Sequence, residues 1–233
     1  MALLGCGNRA SQAEVDRLAE RVDSFAVTLT AVTKALGSSA GQRSDAPDSA
    51  SMSLTGAVFT EGRADALYTL VEFTDYQCPY CARHANEVLP LLRDSLVAAG
   101  ILRWVLKDLP LVAIHPRAAA AALASRCVAA ITPSAFIDYH DAVIGTPIEL
   151  TDSLLRARAV AFSVDAPRFD ACINDPLTRE AMEANITEAG AVGMRGTPGF
   201  VLGRTTAGDT VRGKLLTGFH RYADFRAMVS AIK

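Results

Sequence analysis

Two cysteines separated by a Pro-Tyr dipeptide, Cys78-Pro79-Tyr80-Cys81, fall where a strand pattern gives way to a helix pattern. Residues 67–73, Leu-Tyr-Thr-Leu-Val-Glu-Phe, are apolar on both faces apart from Glu72 and read as a buried strand. A helix starts at Pro79, where a missing N–H costs nothing in the first turn. It runs toward Gly100 and is expected to kink at Pro90. Residues 101–106, Ile-Leu-Arg-Trp-Val-Leu, form a second core strand. This β-α-β order implies a right-handed crossover and a parallel strand pair. The constraint is an α/β fold with a thiol pair at a helix N-terminus.

That placement dictates chemistry. A thiolate at a helix start faces unpaired backbone N–H groups and the positive end of the helix dipole, which both stabilise the anion. The thiolate is the nucleophile, and the sulfur of lower pKa is also the better leaving group. Cys78, at the tip, is expected to attack or be attacked, and Cys81, one turn further in, to resolve the mixed disulfide. The competing use of such a pair is structural zinc, which commonly needs a second Cys or His pair. No second pair at that spacing exists here, so no metal and no cofactor are expected.

The run Val71-Glu-Phe-Thr-Asp-Tyr-Gln-Cys-Pro-Tyr-Cys81 resembles the active-site segment of DsbA-like thioredoxin-fold thiol:disulfide oxidoreductases. Late in the chain, Gly196-Thr197-Pro198 followed by strand-like residues 199–202 resembles the family's second hallmark. The resemblance spans roughly residues 55–232 and implies a thioredoxin-like fold with a helical insertion. It implies that Cys78 is the nucleophile, that Pro79 and Tyr80 tune the redox potential, and that Pro198 is cis beside the cysteines. It also implies that Thr197 offers its backbone to a bound substrate strand. A buried acid at the place of Glu72 relays protons to the inner cysteine in thioredoxin-like proteins. Here a partly exposed carboxylate at the strand end stands equally open. Asp75 matches a common family residue without a clear role. His84 reads as an exposed helix face, as does His140-Asp141, while His115-Pro116 reads as a helix start. Lys107 and Asp108 read as solvated residues ending the second strand.

Around this core the chain divides into three stretches. In residues 11–36, Val15, Leu18, Val22, Phe25, Leu29, Val32 and Leu36 alternate spacings of three and four, an amphipathic heptad helix suited to oligomerisation or to packing on its own domain. Residues 37–54, rich in Gly, Ser, Ala, Asp and Pro, read as a flexible linker. Residues 55–233 form the thioredoxin-like domain, with helix after helix between about 116 and 192, then strands at 199–202 and 210–216 and a closing helix at 222–232.

The five cysteines divide as two, two and one. Cys127 and Cys172 fall in the helical insertion and either form a structural disulfide or remain buried thiols. An exported location favours the bridge. Cys6 closes Leu3-Leu4-Gly5-Cys6, which resembles the end of a bacterial lipoprotein signal, and lipid attachment there stands against a chance tetrapeptide. A net charge of −2 offers no clustered basic surface for nucleic acid. The functional expectation is disulfide formation in exported, cysteine-containing proteins in the periplasm or another extracytoplasmic space. A membrane redox partner resets the pair. Two alternatives remain at this level: an oligomeric isomerase or reductase joined through residues 11–36, and a non-catalytic module binding copper through the two thiols.

Overall fold

A computed structural model describes residues 17, 21, 49–144 and 150–232 of the 233. The chain separates into two units, Met1–Asp45 and Ala46–Lys233, each considered by itself. In the first, Arg17 and Arg21 are helical and exposed. The heptad pattern as a whole, Cys6 and residues 37–48 of the linker lie outside the described residues.

The second unit is built on a six-stranded sheet ordered β1-β6-β5-β3-β4-β2. The strands are β1 Ser49–Ser53, β2 Phe59–Glu61, β3 Tyr68–Thr74, β4 Leu102–Asp108, β5 Gly199–Arg204 and β6 Thr210–Thr217. β3 and β4 are parallel, as the crossover requires, and Leu70 lies opposite Trp104. The other pairings are antiparallel, with β5 lying against β3 so that Phe73 faces Gly199. β3 is buried along its whole length because it has neighbours on both sides and layers on both faces.

Alternation along the strands assigns the two faces. Leu70, Trp104, Leu106, Phe200 and Leu202 pack on one side with Val88, Leu92 and Phe225. Val71, Phe73, Val105 and Val201 pack on the other with Ala50, Met52, Ala189 and Met194. The small strand β1 corrects the linker boundary, because residues 49–53, tether-like in composition, pair into the sheet. Their Ser and Ala side chains carry little hydrophobic signal. Even so, Ala50 and Met52 alternate inward and the backbone pairs with β6 from Ser49↔Lys214 to Ser53↔Thr210.

The crossover from β3 to β4 is helix α1, Pro79–Glu87, followed by a short α2, Leu89–Leu92, and a wide turn at Arg93–Val97. The break comes at Val88, two residues before Pro90, whose ring removes an N–H and crowds the preceding turn. Between β4 and β5 lie α3 Ala118–Ile131, α4 Phe136–Ile144, α5 Asp152–Ala161, α6 Ala166–Asn174 and α7 Pro176–Ala191. Helix α8, Tyr222–Ala231, closes the chain. A disulfide joins Cys127 of α3 to Cys172 of α6 across 45 residues, with Cα atoms 5.7 Å apart.

The ends of β4 overturn another expectation. Lys107 and Asp108 are almost wholly buried rather than solvated. The helical insertion folds over the strand end and supplies the opposite charges: Glu188 of α7 accepts from Lys107, and Arg126 of α3 donates to Asp108. Burial nevertheless holds the Asp108 carboxyl above the usual range, with Arg126 pulling the other way.

Candidate active site

Cys78 is the N-cap of α1, in extended conformation, with Pro79 in the first turn. No side chain caps the helix and no acidic residue occupies its first turn. The free N–H groups at this end therefore have the Cys78 sulfur as their natural partner. The Cys81 side chain leads the causes that bring the Cys78 thiol down from an ordinary 9.0 to about 5. Burial opposes the change, and the Thr197 side chain and the amides of Cys81 and Tyr80 reinforce it. Cys81 moves the opposite way. Its burial comes first and its hydrogen bond with Cys78 second, and together they push it well above 9.0. At neutral pH the reduced pair therefore holds one thiolate, on Cys78, and one thiol.

The Thr197–Pro198 peptide is cis and brings this segment against the helix tip. The Thr197 carbonyl accepts from the Cys78 thiol at 3.3 Å. That contact favours the protonated sulfur, so the helix end must outweigh it for the thiolate to prevail. Tyr80, between the cysteines, is 58% exposed, whereas Cys78 is largely covered and Cys81 fully so.

Glu72 is fully buried, which removes the reading of a partly exposed strand-end carboxylate. It accepts from the Trp104 indole N–H at 2.8 Å, and the His84 imidazole lies 3.5 Å away. Burial pushes its carboxyl up, but His84, His140 and Trp104 together outweigh it and hold the group below the ordinary range. The foremost influences on Cys81 are its own burial, Cys78, the Asp75 amide and Thr197, not Glu72.

His84 corrects the expectation of an exposed helix face: it is completely buried, its ring tilted against Phe200 and edge-on to Phe225. His140 is buried as well, beside Tyr76 and Trp104. Sequence spacing gave no sign of this cluster, because its members come from β3, α1, β4 and α4. The site also includes Asp75 and His115, joined at 2.9 Å, so His115 serves the site and not the helix start that His115-Pro116 suggests. Helix α3 begins later, at Ala118.

Among the described residues no group of three or more His, Cys, Asp or Glu side chains is placed to hold a metal. A groove of about 530 Å³ between α3, α5 and α6, lined by Leu123, Leu155 and Phe169, includes neither cysteine. The reactive pair thus lies outside that groove, at the N-terminus of α1.

The family model described as thioredoxin matches residues 55–219, which takes in β2 through β6 and the whole site. The chain belongs to the thioredoxin family. The architecture is DsbA-like: alpha-DsbA1 of Wolbachia pipientis superposes with a TM-score of 0.65 at 18% identity, covering 74% of this chain and 89% of that one. Oxidised BdbD from Bacillus subtilis superposes with a TM-score of 0.67 at 20% identity, covering 78% of this chain and 96% of the other. Among curated relatives, a Na(+)/H(+) antiporter NhaA 3 of Salinispora tropica is 32% identical over 139 residues, 60% of this chain but 20% of the antiporter. Disulfide bond formation protein D of Bacillus subtilis is 32% identical over 81 residues, 34% of this chain and 35% of that protein. The chain thus spans about a fifth of the length of the first of these relatives.

Proposed function

We propose that the protein carries out thiol–disulfide exchange on cysteine-containing exported proteins, running in the direction of disulfide formation. The observation that carries this reading is the split between the two thiols, Cys78 down to about 5 and Cys81 well above 9.0. A stabilised Cys78 thiolate exists only in the reduced pair, so it favours reduction of the pair and makes its disulfide an oxidant. In the forward reaction a substrate thiolate attacks Cys78. A substrate–Cys78 disulfide forms, the Cys78–Cys81 bond breaks, and its electron pair goes to Cys81. A second substrate thiolate then attacks the substrate sulfur and expels Cys78 as the stable thiolate. The substrate gains a disulfide, and the pair gains two electrons. A redox partner at the membrane then removes them.

Further features support the reading. Thr197 presents its main chain beside Cys78, where an extended substrate segment would lie along the Pro198 loop. Pro79 and Tyr80 complete the tip that sets the potential. The Cys127–Cys172 bridge suits an oxidising, extracytoplasmic compartment, and Cys6 offers a lipid attachment point there. Among the described residues no helix is long and apolar enough to cross a membrane. The heptad stripe of residues 11–36 favours a second reading, an isomerase whose oligomer presents several pairs to one substrate.

The test is oxidative refolding of a reduced, cysteine-containing protein with stoichiometric oxidised protein. Two substrate thiols should disappear per pair consumed. Cys78→Ser should abolish transfer, and Cys81→Ser, given the substrate in its disulfide-bonded form, should trap a mixed disulfide through Cys78 as the other substrate sulfur leaves as a thiolate. Transfer that survives Cys78→Ser contradicts the assignment.

A further inference from the structure

Asp75 follows β3 directly, and its side chain is buried. One carboxylate oxygen accepts from the Gln77 amide at 2.8 Å. The other accepts from the Leu111 amide at 2.7 Å and meets His115 Nδ1 at 2.9 Å. A carboxylate that only accepts calls for the His115 tautomer with its proton on Nδ1 at this contact. Leu111 and His115 belong to the connection between β4 and α3, so the carboxylate fastens the loop before Cys78 to a second segment. With three donors around it, its orientation is fixed. The main chain of Asp75 then meets both cysteines: its carbonyl accepts from the Cys78 amide at 3.1 Å, and its own amide points at Cys81 Sγ at 3.5 Å.

We infer that the Asp75 carboxylate and His115 are positioning residues that hold the Asp75 N–H in place to receive the negative charge on Cys81 when the disulfide is opened. This rests on Cys78–Cys81 being the exchanging pair. As the substrate–Cys78 bond forms and the Cys78–Cys81 bond breaks, the leaving electron pair arrives on a sulfur with little access to water. A pre-aligned amide is most valuable there, because it needs no reorganisation as charge develops. Gln77 extends the clamp: its side-chain carbonyl accepts from the Arg117 amide at 2.6 Å, tying the same loop to the start of the helical insertion.

The experiment uses the full chain with Asp75→Ala, His115→Ala and His115→Gln. It measures the rate at which dithiothreitol opens the oxidised pair, and the titration midpoint of Cys81 in a Cys78→Ser background. Asp75→Ala should slow opening by roughly tenfold or more, since loss of one aligned donor carries costs of that order or larger. His115→Ala should slow it by a smaller factor, both should raise the Cys81 midpoint, and His115→Gln, whose amide can still donate, should recover most of the loss. If Asp75→Ala does not fold, His115→Ala decides, because His115 is partly exposed and its removal strands no buried charge outright. Unchanged rates and an unmoved Cys81 midpoint, even with a lowered melting temperature, overturn the inference and leave a purely structural clamp. A wild-type protein inert toward the dithiol would instead remove the reading of the pair itself.

Discussion

A single carboxylate shows what one residue does in this core. Glu72 sits among Leu70, Trp104 and Phe200 on a face that is otherwise apolar, and it stays ionised because Trp104, His84 and His140 surround it. Since its folded pKa lies below the ordinary value, it adds stability above that value and loses the contribution as the pH falls through the folded one. Glu72→Leu should destabilise the protein by roughly 1–3 kcal/mol, the cost of a buried donor left without a partner, here the Trp104 indole. Chemical denaturation at neutral pH measures it. A variant as stable as the parent would show that the carboxylate costs as much as its partners return. The residue's oddity was legible, because a lone Glu in an apolar strand stands out. Its partners were not, because His84 is polar and shares its buried helix face with only the small Cys81 and Ala85, too little apolar surface to mark that face as inward.

At the scale of elements, the β3–α1 junction was readable because three local signals agree there: a buried apolar run, a proline in the first helical turn and the paired thiols. Strand β1 was not readable, since its Ser and Ala side chains carry the same signature as a tether. Its pairing is supplied by β6, far along the chain. Lys107 and Asp108 were misread for a related reason. A polar pair at a strand end is ordinarily solvated, and only the return of α3 and α7 brings Arg126 and Glu188 to cover it. The same insertion is stapled by Cys127 and Cys172. Replacing both cysteines by serine should cost about 4 kcal/mol in the chain-entropy account of a loop this long. Exchange at Cys78 should persist at ambient temperature, because the bridge joins α3 to α6 rather than the helix that carries the reactive pair. Unfolding curves of the double variant beside a dithiol-opening assay would check both halves, and loss of exchange in a folded variant would contradict the separation.

For the molecule as a whole, the reactive pair couples stability to redox state. The folded Cys78 pKa, about 5, lies below the ordinary 9.0 of an unfolded chain. The thiolate's contribution is therefore fully present above about 9 and is lost as the pH falls toward 5. Only the reduced protein has a thiolate, so its stability relative to the oxidised protein should rise across that interval and flatten below it. Cys81, raised in the fold, adds nothing inside that window and works against the reduced protein only above 9.0. Parallel denaturation of the two forms from acid to mildly alkaline pH would show the rise. A pH-independent difference would be incompatible with an acidic Cys78.

The most direct measurement is the ultraviolet titration of thiolate in the reduced protein, with Cys78→Ser as the reference. The account predicts a first midpoint near 5 that vanishes in the variant. A single midpoint close to 9.0, unaltered by Cys78→Ser, would contradict it.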